Sequence, residues 1–229
     1  MFYGRDLMTR VRTVVSVGFF LLALVSLSAA QFKVSDNFNR ADGAVGLGWS
    51  LWGNGAQIST NQLETFGQTS VAGGIARTLD VTFPLKFAFD FSTNTPPDGG
   101  WEITFNAAST DGGVESNFTG EIRLFEASGA RAVCTLFQTS NGPEHQCANI
   151  KSGQRDFTAQ AHISGTLKPD FSAKVTIRYN DGLMPNTVTI NTAAPVGAIQ
   201  APLGNILFFG NINASNGPHF FDNFSLSLR

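Results

Sequence analysis

Charge is scarce in this 229-residue chain, and the charge that is present does not cluster. Only 14% of the residues are charged, with 15 lysines and arginines against 17 aspartates and glutamates. Proteins that bind nucleic acid or an anionic membrane surface usually carry a basic patch, and none is visible in this sequence. We therefore predict neither nucleic acid nor an anionic membrane as a partner.

A hydrophobic run long enough for a comfortable membrane span is also missing. The apolar stretch at residues 14–25 falls short of the roughly 20 residues that a membrane helix needs. Arginines precede this stretch and the small residues 28–30 follow it, which is the pattern of a cleaved export signal. We predict a signal peptide over residues 1–30 and a single mature domain over residues 31–229, secreted or, in a Gram-negative bacterium, periplasmic. An uncleaved anchor is the alternative.

Cysteine is nearly absent, since Cys134 and Cys147 are the only two. They are symmetric about the turn-forming pair Ser140-Asn141, so a hairpin of residues 132–138 and 145–150 would place them on facing strands. In an exported protein a disulfide is the usual state of such a pair. We predict a bridge between them; two free thiols in a redox or metal site are the alternative.

Helical periodicity is missing as well, and alternation of apolar and polar residues takes its place. Gly, Asn, Asp and Pro clusters separate the alternating segments, as turns separate strands. The plainest predicted strands are residues 85–91, 101–105, 121–125, 132–137, 157–163, 174–179, 187–191 and 206–209. Strands without intervening helices favour an all-β fold, a two-sheet antiparallel β-sandwich. Most of the 21 phenylalanines fall on the inward phase and are predicted to form its core.

Similar phrases open and close the mature part. The first is Asp36-Asn37-Phe38-Asn39-Arg40-Ala41-Asp42-Gly43, followed by Leu47-Gly48-Trp49, and the last contains Phe221-Asp222-Asn223-Phe224. We predict that they belong to the strands that open and close one domain. These phrases resemble those of concanavalin A-like (laminin G-like, lectin/glucanase) jelly rolls of secreted proteins. The resemblance implies a jelly-roll fold, with any sugar-binding or active site on the concave sheet.

The resemblance also implies a candidate cofactor. Related jelly rolls often hold one structural Ca²⁺ between the first and last strands, and carboxylates are suitable ligands for this ion. The candidates here are Asp36 and Asp222, with Asp42 nearby in the opening phrase. Alternatively, these aspartates stabilise turns through hydrogen bonds to their own backbone.

Strand parity predicts a polar face that could bind a ligand. If the strands beginning near residues 85, 101, 121 and 157 are neighbours, their outward side chains lie on one sheet face. The predicted ligand-binding residues are Lys86, Asp90, Glu102, Asn106, Glu121, Arg123 and His162, with Trp52 as an exposed aromatic platform. The outer face of an antiparallel sheet is polar in any case, which is the alternative interpretation.

Enzymatic motifs are largely missing. Laminarinase-type relatives carry E-x-D-x-x-E or E-x-D-x-E on one strand, whereas here Glu121 and Glu126 are five residues apart, with Arg123 at the central aspartate position. There is no nucleophile elbow, phosphate-binding glycine loop or His/Cys metal spacing. A cross-strand pair, Glu102 with Glu121, could still perform acid/base chemistry.

These patterns favour a secreted binding module without catalytic activity. This interpretation predicts a glycan or polysaccharide bound on the polar sheet face, or another extracellular protein, as the partner. A glycoside hydrolase or polysaccharide lyase using Glu102 and Glu121 is the first alternative. A structural or adhesive extracellular protein is the second.

Overall fold

A computed structural model describes residues 32–53, 55–66, 73–93, 100–108, 118–127, 130–150, 160–180, 182, 186–212 and 218–228. The predicted signal peptide lies outside these residues. No helix in the described part of the chain has the length and apolar character needed to span a bilayer. The strands are β1 (Phe32–Asp36), β2 (Ser50–Gly53), β3 (Ala56–Ser59), β4 (Gln62–Thr65), β5 (Gly73–Thr78), β6 (Leu85–Thr93), β7 (Gly100–Ala107), β8 (Gly120–Ala127), β9 (Ala130–Thr139), β10 (Gly142–Asn149), β11 (Ala161–Leu167), β12 (Ala173–Tyr179), β13 (Thr187–Asn191), β14 (Ile206–Ile212) and β15 (His219–Leu228).

The strands form two antiparallel sheets. Sheet I has the order β13-β12-β11-β6-β15-β4-β3, and β1 also pairs with β15. Sheet II has the order β10-β9-β8-β7-β14-β5-β2. The predicted two-sheet antiparallel β-sandwich is confirmed.

Aromatic side chains fill the space between the two sheets. Phe89 of sheet I is fully buried, and its ring centroid lies 5.1 Å from those of Trp101 and Phe209 of sheet II. Phe87 and Phe91 point the same way and are also buried, as the alternation in β6 predicts. The predicted core role of the phenylalanines on the inward phase of β6 is confirmed.

The opening and closing phrases meet directly. β1 pairs with β15 in antiparallel register, with Phe32 opposite Leu228 and Asp36 opposite Phe224. The Trp49 ring packs edge-on against Phe224 at a centroid distance of 5.8 Å. The opening and closing phrases therefore contain strands that pair within one sheet.

Asp36 organises the opening phrase through four hydrogen bonds. Its Oδ1 accepts from the Phe38 amide at 2.8 Å and from Arg40 Nη1 at 2.8 Å. Its Oδ2 accepts from Arg40 Nη2 at 2.9 Å and from Trp49 Nε1 at 3.0 Å. Burial raises the pKa of the Asp36 carboxyl, but the hydrogen bonds from Arg40, Phe38 and Trp49 and the charge of Arg40 together lower it below its usual value. The opening phrase is therefore held together by hydrogen bonds to one buried carboxylate.

Substituting Asp36→Asn tests how much these hydrogen bonds stabilise the fold. We expect the free energy of unfolding at pH 7 to fall by about 2 kcal/mol, because the charge-assisted bidentate pair with Arg40 is lost while an amide oxygen remains for Phe38. Urea denaturation of the variant and the wild type measures the change. Asp42→Asn is the matched control, since Asp42 is exposed and accepts one hydrogen bond, from the Thr60 amide. Equal losses of stability in the two variants would contradict a structural role for the Asp36 carboxylate.

The two cysteines form the predicted disulfide. Cys134 of β9 and Cys147 of β10 are opposite each other in the strand register, and their Cα atoms are 4.1 Å apart. Ser140 and Asn141 form the turn of this hairpin. A bridge over so short a loop stabilises the fold by on the order of 3 kcal/mol, chiefly by restricting the unfolded chain.

Candidate functional site

The predicted polar residues lie on two sheets rather than one. Lys86 and Asp90 of β6 and His162 of β11 are on the outer face of sheet I, whereas Glu102 of β7 and Arg123 of β8 are on the outer face of sheet II. The predicted single face is therefore wrong. The alternation in each strand correctly indicates which side chains point away from the core, but the chain crosses between the sheets from β6 to β7.

On sheet II the outward residues form transverse rows. Opposed positions across neighbouring strands give one row of seven residues: Trp52, Gly74, Gly210, Glu102, Arg123, Cys134 and Cys147. The next row contains Ser50, Ala76, Phe208, Thr104, Glu121, Leu136 and His145. Glu102 and Glu121 are thus diagonal neighbours on adjacent strands, and Arg123 lies opposite Glu102.

These three charged residues form a compact, nearly buried cluster. Glu102 is 4% exposed and Glu121 is 3% exposed. Arg123 Nε lies 3.2 Å from Glu121 Oε1, so the guanidinium partly compensates the acidic charge. Within the part of the chain that the structure describes, Glu102 Oε1 has no hydrogen-bond partner.

Burial raises the pKa of Glu102 well above its usual value, and the neighbouring charge of Glu121 raises it further. The positive charge of Arg123 acts in the opposite direction. Carboxyl groups whose pKa is raised by burial and by a specific neighbour are found preferentially at functional sites. Such a group can accept a hydrogen bond from a ligand hydroxyl when ionised and donate one when protonated.

An apolar cluster adjoins the charged cluster on the same face. It consists of buried side chains, namely Trp52, Ala76, Ala107, Phe118, Leu136 and Phe208. Trp52 is 5% exposed, so the predicted exposed platform is wrong. Its indole packs against the Phe208 ring at a centroid distance of 4.7 Å. The outer face of sheet II therefore brings buried aromatic side chains together with carboxyl and guanidinium groups.

Asn106, the remaining predicted residue of sheet II, has a structural role. Its Nδ2 donates to the Val81 carbonyl and its Oδ1 accepts from the Val81 amide, both at 3.0 Å. The residue is 2% exposed and has a φ of 53°. Its amide holds the segment before β6, so the structure gives Asn106 a structural role, and ligand binding by this residue stays a prediction.

The sheet I residues form a separate polar group. Asp90 Oδ1 lies 2.8 Å from His162 Nδ1, and Asp90 Oδ2 accepts from Asn223 Nδ2 at 2.7 Å. A pocket of about 260 Å³ adjoins Asp90 and is lined also by Asp222 and other polar residues. Lys86 lies four residues before Asp90 on the same face. The structure thus brings Asp90 and His162 together but not with the carboxyl groups of sheet II.

The aspartates predicted to bind calcium do not form a suitable ligand set. Both oxygens of Asp36 are already engaged by the Phe38 amide, Arg40 and Trp49. Asp222 Oδ1 accepts from the Asn223 amide at 2.7 Å; burial raises the pKa of Asp222, as do the charges of Asp90 and Asp36. Among the described residues, no group of three or more His, Cys, Asp or Glu side chains could hold a metal ion. The residues present do not fit the implied calcium site.

Known structures share this arrangement of strands. Lectin UEA-II in complex with galactose superposes with a TM-score of 0.57 at 14% identity, covering 86% of this chain and 99% of the lectin. The fold is a concanavalin A-like jelly roll. The Bacillus licheniformis β-glucanase has the same jelly roll, with a TM-score of 0.51 at 12% identity, covering 86% of this chain and 98% of the glucanase.

A protein of unknown function with a galectin-like fold from Bacillus subtilis is similar to the same degree. Its TM-score is 0.52 at 14% identity, and the match covers 86% of this chain and 96% of that protein. No protein-family model and no curated protein matches the sequence. At these identities the likeness establishes the jelly roll and leaves the ligand to be inferred from the site.

Proposed function

We propose that this protein binds carbohydrate on the outer face of sheet II. The observation that carries the proposal is the cluster of the buried Glu102 and Glu121 with the partly exposed Arg123, beside buried aromatic side chains. Sugars present hydroxyl groups to polar side chains and C–H faces to apolar ones, so they match this combination of side chains. A lectin bound to galactose and a β-glucanase have the same fold, which supports this ligand class.

The location that we propose is outside the cytoplasm. A disulfide between Cys134 and Cys147 is stable in an oxidising compartment and unusual in the cytosol. Extracellular or periplasmic glycans would then be the accessible ligands. Asp90, His162 and Lys86, on the other sheet, are not part of the proposed glycan site.

The first test of the proposal is a glycan and polysaccharide array, followed by titration of the best ligand. We expect Glu102→Gln to weaken binding about tenfold, because the amide cannot reproduce the hydrogen bonds that the carboxyl group would make to sugar hydroxyls. Glu64→Gln is the matched control, since Glu64 lies on sheet I, where its carboxylate accepts a hydrogen bond from Gln57 at 2.8 Å. Failure to bind any glycan would refute the proposal and favour a protein partner.

A second candidate function is glycan cleavage, and one observation favours it. The raised pKa of Glu102 and the placement of Glu121 beside Arg123 resemble the division between an acid and a base or nucleophile in glycosidases. Assaying the array hits for new reducing ends separates the two functions. Cleavage that is lost in Glu102→Gln would identify an enzyme, whereas retention without cleavage supports a binding module.

A further inference from the structure

A pocket of about 580 Å³ lies beside β1 and β15, and we call it the β1 pocket. Lys33 of β1, Arg77 of β5 and Ser225 of β15 are among the residues that line it. Lys33 is exposed and Arg77 is half-buried, so the pocket is open to solvent. Its volume is typical of sites that bind small organic molecules. It shares no lining residue with the charged cluster of sheet II.

The β1 pocket presents positive charge to a ligand. Its two cationic residues are Lys33 and Arg77, and neither forms an ion pair with any described residue. Asp36 also lines the pocket, but both of its oxygens are engaged and its charge is matched by that of Arg40. Two cations without an acidic partner in one pocket favour an anionic ligand.

The guanidinium of Arg77 is held in position by stacking. Its Cζ lies over the Trp49 ring, 5.7 Å from the ring centroid. The Trp49 indole is held in turn by its hydrogen bond to Asp36 and by its contact with Phe224. Gly48 is also close, since a Cβ atom there would lie 3.8 Å from Cζ and Nη2 of Arg77. Stacking uses the flat face of a guanidinium and leaves the N–H groups at its rim available to an oxyanion.

Hydroxyl and amide side chains accompany the two cations. Ser35 and Ser225 are opposite each other in the register of β1 and β15, and both line the pocket. Asn37, directly after β1, and Asn223 of β15 line it as well. A hydroxyl or an amide both donates and accepts hydrogen bonds, so these side chains match the hydroxyl groups of a sugar.

Leu47 gives the β1 pocket an apolar contact and has an unusual backbone conformation. Its side chain is 71% exposed, and its φ is 52°. A bulky residue is disfavoured in this left-handed region, and such residues cluster at functional sites. The glycines on either side, Gly46 and Gly48, also have positive φ values, of 62° and 81°. The loop thereby presents Leu47 at the pocket, where it can contact the C–H atoms of a ligand.

We propose that the β1 pocket is a second ligand site, which binds an acidic sugar unit through its oxyanion with Lys33 and Arg77 as donors. The sugar hydroxyls bond to Ser35 and Ser225, and the C–H atoms contact Leu47. A uronate carboxylate and a sulfate ester share this chemistry, because each accepts several N–H donors on one anionic group. The site goes beyond the proposed function, since the charged cluster of sheet II offers carboxyl groups to its ligand.

The experiment measures the binding of three monosaccharides to the ¹⁵N-labelled protein. The probes are glucuronate, glucose 6-sulfate and neutral glucose. We expect at least one anionic probe to move the Arg77 Nε–H resonance, and glucose to bind about tenfold more weakly or less, because it lacks the charge-assisted hydrogen bonds. The comparison of glucuronate with glucose 6-sulfate shows which oxyanion the pocket prefers. Added salt should weaken binding of the anionic probe, since charges near the surface are screened.

Substitutions of the two cations locate the site. Lys33→Gln and Arg77→Gln should each weaken binding of the anionic probe about tenfold, because each removes a charge-assisted hydrogen bond. Lys174→Gln is the matched control, with the same change of net charge at an exposed position of β12. The strands β15, β6 and β11 lie between β12 and β1 in sheet I, so this variant should bind like the wild type.

Three outcomes would overturn the proposal. They are the absence of binding by both anionic probes, equal affinity for glucose, and an equal loss of affinity in Lys33→Gln and Lys174→Gln. Should Arg77→Gln fail to fold, Lys33→Gln at its exposed position and the Arg77 resonance of the wild type still decide. Neutral glycans on the array test the proposed function separately. A protein that binds neutral glycans but neither anionic probe retains the proposed function and lacks this second site.

Discussion

Replacing Arg123 with methionine is expected to lower the free energy of unfolding at pH 7 by about 3–5 kcal/mol. The guanidinium lies 3.2 Å from Glu121 and opposite Glu102, and both carboxyl groups are nearly buried. Methionine fills most of the space but provides no positive charge, so two acidic groups would share a site with little water. Guanidinium chloride denaturation at several pH values measures the loss.

The loss of stability in Arg123→Met should depend on pH. Without Arg123 the pKa of Glu102 should rise further, because burial and the charge of Glu121 would act without opposition from the guanidinium. A raised carboxyl pKa contributes stability that is present at low pH and lost as the pH rises through it. The loss of stability in the variant should therefore be smaller at pH 5 than at pH 7.5.

Arg178→Met, on the exposed outer face of sheet I, is the control and should lower the free energy of unfolding by less than about 1 kcal/mol. A similarly small loss of stability in Arg123→Met would contradict the expected electrostatic role of Arg123.

Acidification is expected to destabilise the protein through one buried histidine. His219 is 3% exposed, and its ring stacks on Phe91 at a centroid distance of 5.5 Å. Burial lowers the pKa of His219 from 6.5 to about 4. The unfolded chain therefore binds a proton between these pH values while the folded protein does not. By this linkage the free energy of unfolding should fall by on the order of 3 kcal/mol between pH 7 and pH 4.

His219→Phe isolates this contribution. Phenylalanine keeps a ring against Phe91 and does not titrate, so the difference between variant and wild type should grow in favour of the variant as the pH falls from 6.5 to 4. Carboxyl groups such as Glu102 are common to both proteins and cancel in the comparison. His145→Gln, at an exposed position of β10, is the control for the loss of a surface histidine. Parallel stability curves for His219→Phe and wild type would show that the imidazole is not responsible.

The strands and their inward faces could be predicted because alternation is a local property. In β6 the odd-numbered residues from Leu85 to Phe91 are apolar, and they are the buried ones. β13, at Thr187–Asn191, matches its predicted range to the residue. The disulfide followed from symmetry about a turn, which is equally local. The pairing of β1 with β15 was not predicted, since no local rule connects residues so far apart.

Membership of a sheet could not be predicted in the same way. β6 and β7 are consecutive in the chain, yet they belong to different sheets, so Asp90 and Glu102 face opposite sides of the sandwich. Outward side chains are polar on both sheets, so polarity alone does not indicate to which sheet a strand belongs. Only the long-range pairings, such as β7 with β14 and β6 with β15, separate the two sets.

The candidate site depends on features with weak sequence signals. Gly74 and Gly210 lie within strands, where glycine often marks a close backbone approach, and this signal could have identified them. Trp52 was expected to be exposed because Gly53-Asn54-Gly55 follows it, but its indole packs against Phe208 and is buried. Asn106 was expected to bind a ligand because its neighbours alternate, but its positive φ and its contacts with Val81 make it structural.

The position of β15 has a consequence for biosynthesis. This strand, at residues 219–228, lies inside sheet I, with β6 on one side and β4 and β1 on the other. A ribosome-bound chain that has not yet released these residues cannot complete the sheet, and its β1 has no partner to join. Such long-range topologies fold slowly, and their unpaired strands are prone to aggregation. Sheet I therefore forms only after residues 219–228 are available for pairing, and β1 and β6 lack their β15 partner until then.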